Sequence, residues 1–202
     1  MSLTDKEVLE IFNKTEALLN GHFLLTSGRH SDKYFQCAKV LQYPKYNELI
    51  CKNIADYFKN FEFNAIVCPA IGGIVVGQEI ARQLGKRFIF TERENNSMTL
   101  RRGFKISPGE KILVCEDVVT TGGSVFEVID LVKQNGANVV GVGFIVDRSN
   151  GKVNFGYSQY SVIKMEVITY LKEDCPLCKK GIEVVKPGSR KTIDKKKLDI
   201  KK

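Results

Sequence analysis

Apolar residues recur every three or four positions in four stretches of the chain and run almost unbroken in four others. The first pattern predicts amphipathic helices, the second buried strands. Val8, Ile11, Phe12, Thr15, Leu18 and Leu19 share one face of a helix expected over 4–19, closed by Asn20-Gly21. Leu49, Ile50, Ile54, Tyr57 and Phe58 give the apolar face of a second, over 47–60. A third runs from the Ala70-Ile71-Gly72-Gly73 turn to Leu84-Gly85. A fourth carries Val125, Val128, Ile129, Leu131 and Val132 and ends at Asn135-Gly136. The apolar runs 64–69, 87–91, 112–115 and 138–146 read as strands. Before them, 22–35 reads as strand, polar turn, strand. The segment 92–104 is polar and aperiodic, the profile of a functional loop.

Strands and helices alternate from 64 to 146, and the strands are apolar throughout. This predicts an α/β fold with a mostly parallel sheet flanked by helices on both faces. Ligands of such sheets sit outside the carboxyl ends of the strands. Polar clusters follow four predicted strands: Pro69 to Gly73, the loop after Thr91, Glu116 to Ser124, and Asp147-Arg148-Ser149. They are expected to meet in one crevice.

The richest cluster follows Ile112-Leu-Val-Cys115. Glu116 and Asp117 come first, then Val118 and Val119, then Thr120-Thr121-Gly122-Gly123-Ser124. A hydroxyl- and glycine-rich loop opening a helix offers backbone N–H groups and the positive end of a dipole to a phosphate. Adjacent carboxylates can accept from vicinal hydroxyls or hold a hydrated divalent cation. Together they match a ribose 5-phosphate in size. No Gly-Lys-Ser/Thr follows, so the loop is not a Walker A motif.

Glu116-Asp-Val-Val-Thr-Thr-Gly-Gly-Ser124 resembles the signature of the type I phosphoribosyltransferases, which bind phosphoribosyl diphosphate. The stretches 23–35, 69–73 and 146–149, with a lid-like 91–104, narrow the resemblance to the orotate phosphoribosyltransferase family over roughly residues 1–190. The resemblance implies a single catalytic domain over 1–188, with a small N-terminal hood at about 20–43. It implies formation of orotidine 5′-monophosphate and diphosphate from orotate and phosphoribosyl diphosphate in pyrimidine synthesis, with Mg²⁺ as cofactor and a homodimer as the assembly. Glu116 and Asp117 would hold the ribose hydroxyls. Val118, Val119, Thr120, Thr121, Gly122, Gly123 and Ser124 would wrap the 5-phosphate, and Ile71, Gly72 and Gly73 would turn against the diphosphate. Thr120 and Arg148 would meet orotate. A planar guanidinium suits the carboxylate that distinguishes orotate from uracil. Asp117 and the lid arginines Arg93, Arg101 and Arg102 are the candidate catalytic groups.

Three departures from the family pattern stand out. The hood reads Leu25-Thr26-Ser27-Gly28 without the frequent lysine, whose nearest substitute is Lys33. The diphosphate turn has no lysine, and the lid has neither lysine nor histidine. The family's catalytic lysine therefore cannot be carried over to this chain. The hood turn instead crowds Arg29, His30, Ser31 and Lys33 together.

The 202 residues suffice for one sizeable core. The formal charge of +8 invites a nucleic-acid reading, but residues 189–202 hold seven Lys or Arg against two Asp, leaving a mildly basic body and a basic C-terminal tail. No apolar run approaches the ~20 residues of a membrane span. The N-terminus has no signal pattern, so a cytoplasmic protein is expected, with neither membrane nor nucleic-acid partner. Cys37, Cys51, Cys68 and Cys115 stand singly and suit a reduced core. Cys175 and Cys178 form a C-x-x-C, half of a possible zinc site, while His22 and His30 look too scattered to complete it. Tyr157, Tyr160 and Tyr170 are expected to pack. Two other functions fit the phosphate loop alone: a transferase for another base, such as a purine, and a regulator that binds the same donor and nucleic acid. The first would not need Arg148. The second lacks a helix-turn-helix segment ahead of the domain.

Overall fold

The computed structural model describes residues 2–25 and 27–187. The basic tail expected over 189–202 lies outside them. Helix α1 (Asp5–Lys14) opens on a capping box, in which Thr4 accepts from the Glu7 N–H and Glu7 accepts from the Thr4 N–H. It buries Val8 and Phe12. The helix stops at Thr15, whose hydroxyl bonds back to the Ile11 carbonyl, and Glu16 takes a left-handed φ of 54°. Leu18 and Leu19 are therefore not its last turn. They begin strand β1 (Leu18–Leu24), which pairs antiparallel with β2 (His30–Phe35), Leu18 opposite Phe35. Their helical spacing to Thr15 loses to that pairing. A third strand, β9 (Thr169–Tyr170), joins β2 from the far end of the chain. The hood is thus a three-stranded sheet in the order β1-β2-β9, starting earlier than expected and closed by a distant segment.

A short helix α2 (Ala38–Leu41) leads to α3 (Pro44–Phe58). The main sheet follows: β3 (Ala65–Pro69), β4 (Arg87–Glu94), β5 (Ser97–Leu100), β6 (Lys111–Val119), β7 (Asn138–Asp147) and β8 (Ser158–Lys164), in the order β5-β4-β3-β6-β7-β8. All its pairs are parallel except β4 with β5. Helix α4 (Gly72–Leu84) packs with α3 and α1 on one face, around Phe12, Ile54, Phe58 and Ile80. Helix α5 (Gly123–Gln134) covers the other, around Val114, Val128 and Ile129. The expected doubly covered parallel sheet is present. A small helix α6 (Pro176–Lys179) closes the described chain.

Two boundaries differ in ways that matter for the site. The segment 92–104 is largely a hairpin and not a structureless loop: Asn95 and Asn96 both have positive φ, which lets a two-residue turn join β4 to β5. Strand β6 also runs past Glu116 and Asp117 to Val119, so the acidic pair lies within the strand's last turns of pleat.

Candidate active site

The carboxyl ends of β3, β6 and β7 bring three of the expected clusters together. Gly72 and Gly73 at the start of α4 sit against the acidic pair. A Cβ on Gly72 would overlap the Asp117 carboxylate, and one on Gly73 would lie 3.1 Å from Glu116 Oε1. Only a residue without a side chain fits at Gly72. The neighbouring Ile71 is 82% exposed and packs little, as a turn reserved for backbone contacts requires.

Glu116 and Asp117 accept locally: the Asp117 N–H donates to Glu116 Oε1 at 3.0 Å, and the Val118 N–H donates to Asp117 Oδ1 at 2.8 Å. Burial, and then the neighbouring Asp117 charge, push the Glu116 carboxyl well above its ordinary range. Burial raises Asp117 as well. A buried and a half-buried carboxylate side by side need hydroxyl donors or a cation to be comfortable when charged.

Thr120 to Ser124 curl around a cavity of about 240 Å³, lined also by Glu116 and Arg93. Gly122 is the N-cap of α5, with φ of 77°, and a Cβ there would press on Phe155 and Val153. It provides no side-chain cap, so the first N–H groups of α5 are left to the cavity. The geometry matches a phosphate cradle: backbone donors, hydroxyls and a helix dipole at one point.

A second cavity, of about 520 Å³, shares Thr120 and Thr121 with the first. Its other walls include Arg148, Tyr34, Arg29 and Thr169, from three separate parts of the chain. The backbone N–H of Arg148 bonds to the Val119 carbonyl at 2.8 Å, which locks β7 to the phosphate loop. Its Nε is buried and has no hydrogen-bond partner. Burial lowers the guanidinium's pKa from its ordinary value. Asp147 does not neutralise it. That carboxylate instead accepts from the Ser149 N–H and hydroxyl, at 2.8 and 2.6 Å, and from the Gly151 N–H at 2.9 Å.

The crowded hood turn has a structural use. Arg29 donates to the Thr169 hydroxyl and carbonyl, both at 2.7 Å, and Ser31 donates to the Ile168 carbonyl at 3.0 Å. His30 contacts His22 and Cys178. Three of the four polar groups thus bind the C-terminal segment. Tyr34, Val167 and Thr169, which line the larger cavity, carried no signal in the sequence.

The lid arginines divide. Arg93 lines the phosphate cavity and pairs with Glu127 at 2.8 Å. Arg102 forks onto Glu92 at 2.8 and 2.9 Å, and Arg101 lies 3.7 Å from Glu94. Arg101 and Arg102 belong to the lining of neither cavity. Tyr160 stacks on Tyr57 with ring centres 4.7 Å apart, and Lys133 lies over Tyr157. Tyr170 pairs with His30 in the hood.

Comparison with known proteins agrees with this geometry. Residues 38–172 match the phosphoribosyl transferase domain family. The chain is 58% identical over 186 residues to the orotate phosphoribosyltransferase of Caldanaerobacter subterraneus, covering 92% of this chain and 98% of that one. It is 56% identical over 189 residues to that of Pelotomaculum thermopropionicum, covering 94% and 100%. The crystal structure of the Aeropyrum pernix orotate phosphoribosyltransferase shares the fold, with a TM-score of 0.68 at 23% identity over 78% of this chain and 93% of that one. An adenine phosphoribosyltransferase from Rhodothermus marinus shares it too, with a TM-score of 0.64 at 18% identity over 80% and 100%. Fold likeness alone therefore spans several bases, and sequence identity separates them. The chain belongs to the orotate phosphoribosyltransferase family of the phosphoribosyl transferase domain proteins.

Proposed function

We propose that the chain transfers the phosphoribosyl group of 5-phosphoribosyl 1-diphosphate to a ring nitrogen of orotate, forming orotidine 5′-monophosphate and diphosphate in pyrimidine nucleotide synthesis. The observation that carries this reading is Arg148: a half-buried side chain whose buried Nε is unpaired, in the wall of the 520 Å³ cavity that abuts the phosphate loop. Orotate brings a carboxylate to which such a fork donates in bidentate fashion. A purine transferase has no use for it.

In this reading Glu116 and Asp117 take the ribose hydroxyls, and Thr120, Thr121, Gly122, Gly123 and Ser124 take the 5-phosphate. Ile71, Gly72 and Gly73 present backbone N–H groups to the diphosphate. The bond from C1′ to the diphosphate oxygen breaks while the bond from C1′ to nitrogen forms, and the nitrogen's proton leaves to solvent. The donor supplies the electrophile and the base the nucleophile, so no activated Ser or Cys is needed. Positioning and charge stabilisation then carry the acceleration. The adjacent carboxylates of Glu116, buried, and Asp117, half-buried, fit a Mg²⁺-bound donor, in which Mg²⁺ would neutralise charge on the diphosphate. Arg93 is placed to cover the phosphates. Arg101 and Arg102, just after the lid hairpin and outside both cavities, suit a homodimer in which each lid serves the partner's site. A single catalytic domain over 1–188 fits the shared hood and sheet. A cytoplasmic location is supported by six free cysteines, and no helix among the described residues is long and apolar enough to cross a membrane.

The test is spectrophotometric loss of orotate with phosphoribosyl diphosphate and Mg²⁺, run beside uracil and adenine. Orotate should be consumed with diphosphate release and the other two should not. Turnover of adenine without orotate would overturn the reading.

A further inference from the structure

The C-x-x-C was half of a site in the sequence, and the fold supplies the other half. His22 comes from β1, His30 from the start of β2, Cys175 from the N-cap of α6 and Cys178 from within that helix. Their candidate ligand atoms all lie within 4.8 Å of one another. We propose that His22, His30, Cys175 and Cys178 form a tetrahedral zinc site that clips the hood to the C-terminal segment.

The distances suit the metal. Bond lengths of about 2.3 Å to sulfur and 2.0–2.1 Å to nitrogen put the S–N edges of a tetrahedron at about 3.5 Å. Cys175 Sγ lies 3.5 Å from His22 Nε2, Cys178 Sγ lies 3.7 Å from the same atom, and Cys178 Sγ lies 3.3 Å from His30 Nδ1. The two imidazole nitrogens are 2.7 Å apart, a separation that must open by about half an ångström around zinc.

The surroundings orient the ligands. His22 Nδ1 is 2.7 Å from the Ile182 carbonyl, which can only accept. The ring proton therefore sits on Nδ1, and the Nε2 lone pair faces the cluster, the arrangement that second-shell carbonyls impose on metal-binding histidines. His22 and His30 are each 3% exposed, Cys175 is fully buried and Cys178 is half-buried, so three of the four ligands are shut off from solvent. Closed four-ligand sets with no open position are structural and not catalytic. Two thiolates and two neutral imidazoles also balance Zn²⁺ exactly in charge, which a buried site requires.

The placement gives the site a use. The segment after α6 already pairs with β1, through Val185 N–H to the His22 carbonyl and Leu24 N–H to the Val185 carbonyl, both 2.8 Å. Arg29 and Ser31 flank His30 and hold Thr169 and Ile168. Zinc would finish this seam. It makes the hood a wall held at both ends without a large core of its own, as small metal-stapled units are.

The experiment uses the full chain without a polyhistidine tag, expressed with added zinc, purified under reductant and dialysed against a weak chelator. Mass spectrometry of the metal should find about one zinc per chain. Cobalt(II) in its place should show thiolate charge-transfer absorption and the intense visible bands of a tetrahedral site. Cys178→Ser should lose both signals, while Cys37→Ala, outside the cluster, should keep them. About half an equivalent or less in the reduced wild type overturns the proposal, as does cobalt without thiolate bands or a Cys178→Ser protein that keeps its zinc. The wild-type measurements decide the matter even if the variant does not fold, and none depends on catalysis.

Discussion

Replacing Arg148 should separate binding from stability. The guanidinium stem lines the base cavity, its Nε is buried without a partner, and Asp147 is fully engaged by Ser149 and Gly151. In the free protein this side chain is therefore a cost: an unsatisfied buried donor weighs about 1–3 kcal/mol against folding. With orotate bound it becomes a charge-assisted fork. Losing that fork removes about 2–4 kcal/mol, roughly 30- to 1,000-fold in kcat/KM for orotate. Arg148→Met keeps the apolar stem and removes the donors. Its kcat/KM for orotate should fall by that factor while its preference for orotate over uracil narrows. Its melting temperature in the absence of ligand should hold or rise, since ~1 kcal/mol moves a domain of this size by about 2–4 °C. Arg148→Lys retains charge without the fork and should recover only part of the activity. The measurements are initial rates on both bases and calorimetric melting of the free protein. A melting temperature that falls by several degrees, with the orotate–uracil ratio unchanged, would mean that Arg148 is a packing residue and would refute the reasoning.

Gly72→Ala should raise the KM for phosphoribosyl diphosphate about 5- to 150-fold, because its Cβ overlaps the Asp117 carboxylate and overpacking of this kind costs about 1–3 kcal/mol. An unchanged KM would remove Asp117 from the donor site. Glu116 and Asp117 both have folded pKa values raised by burial, with the Asp117 charge adding to the rise at Glu116. Their contribution to stability is thus fully present below the unfolded values, near 4, and is lost as pH rises through the folded ones. The melting temperature of E116Q/D117N minus that of wild type, both ligand-free, should grow as pH is raised from about 4 to 8, and a difference that shrinks would contradict the assignment. Arg29→Met breaks two hydrogen bonds to Thr169, so hydrogen exchange should quicken at 168–170 and the orotate KM should rise about three- to tenfold with kcat retained. Exchange that does not change would show that this clamp holds nothing.

The donor half of the site was legible because it is local. Strand, acidic pair, loop and helix start occupy 112–124 without interruption, so spacing alone implies their geometry. The base half is not local. Tyr34, Arg148 and Thr169 meet only because β2, β7 and β9 converge, and nothing near Thr169 in sequence marks it. The same reason hid the histidines beside Cys175 and Cys178. His22 and His30 are brought together by the β1–β2 hairpin, and a seam near Val185 brings the cysteines to them. Leu18 and Leu19 were misplaced by a chance helical spacing that a tertiary pairing overrode. The lid hairpin did leave a local signal, the Asn95-Asn96 pair, since those residues tolerate positive φ where others do not.

This division bears on how the fold changes substrate. On the proposed reading, the loop over Thr120–Ser124 would recognise a part common to every phosphoribosyl donor reaction, and its parts are contiguous, so it can persist while the rest drifts. Base choice depends on the hood and on what the hood leaves unpaired. Arg29, His30 and Ser31 are polar, close to the cavity and already committed to other protein groups. Arg148 is the cation beside them whose Nε is not. On the proposed reading, selectivity would follow from subtraction: the architecture satisfies the neighbouring donors internally, and the remaining one would define the anion that fits. A hood rebuilt to satisfy Arg148, or to replace it, would alter the base without touching the donor loop, which is how one fold can serve orotate in one relative and adenine in another.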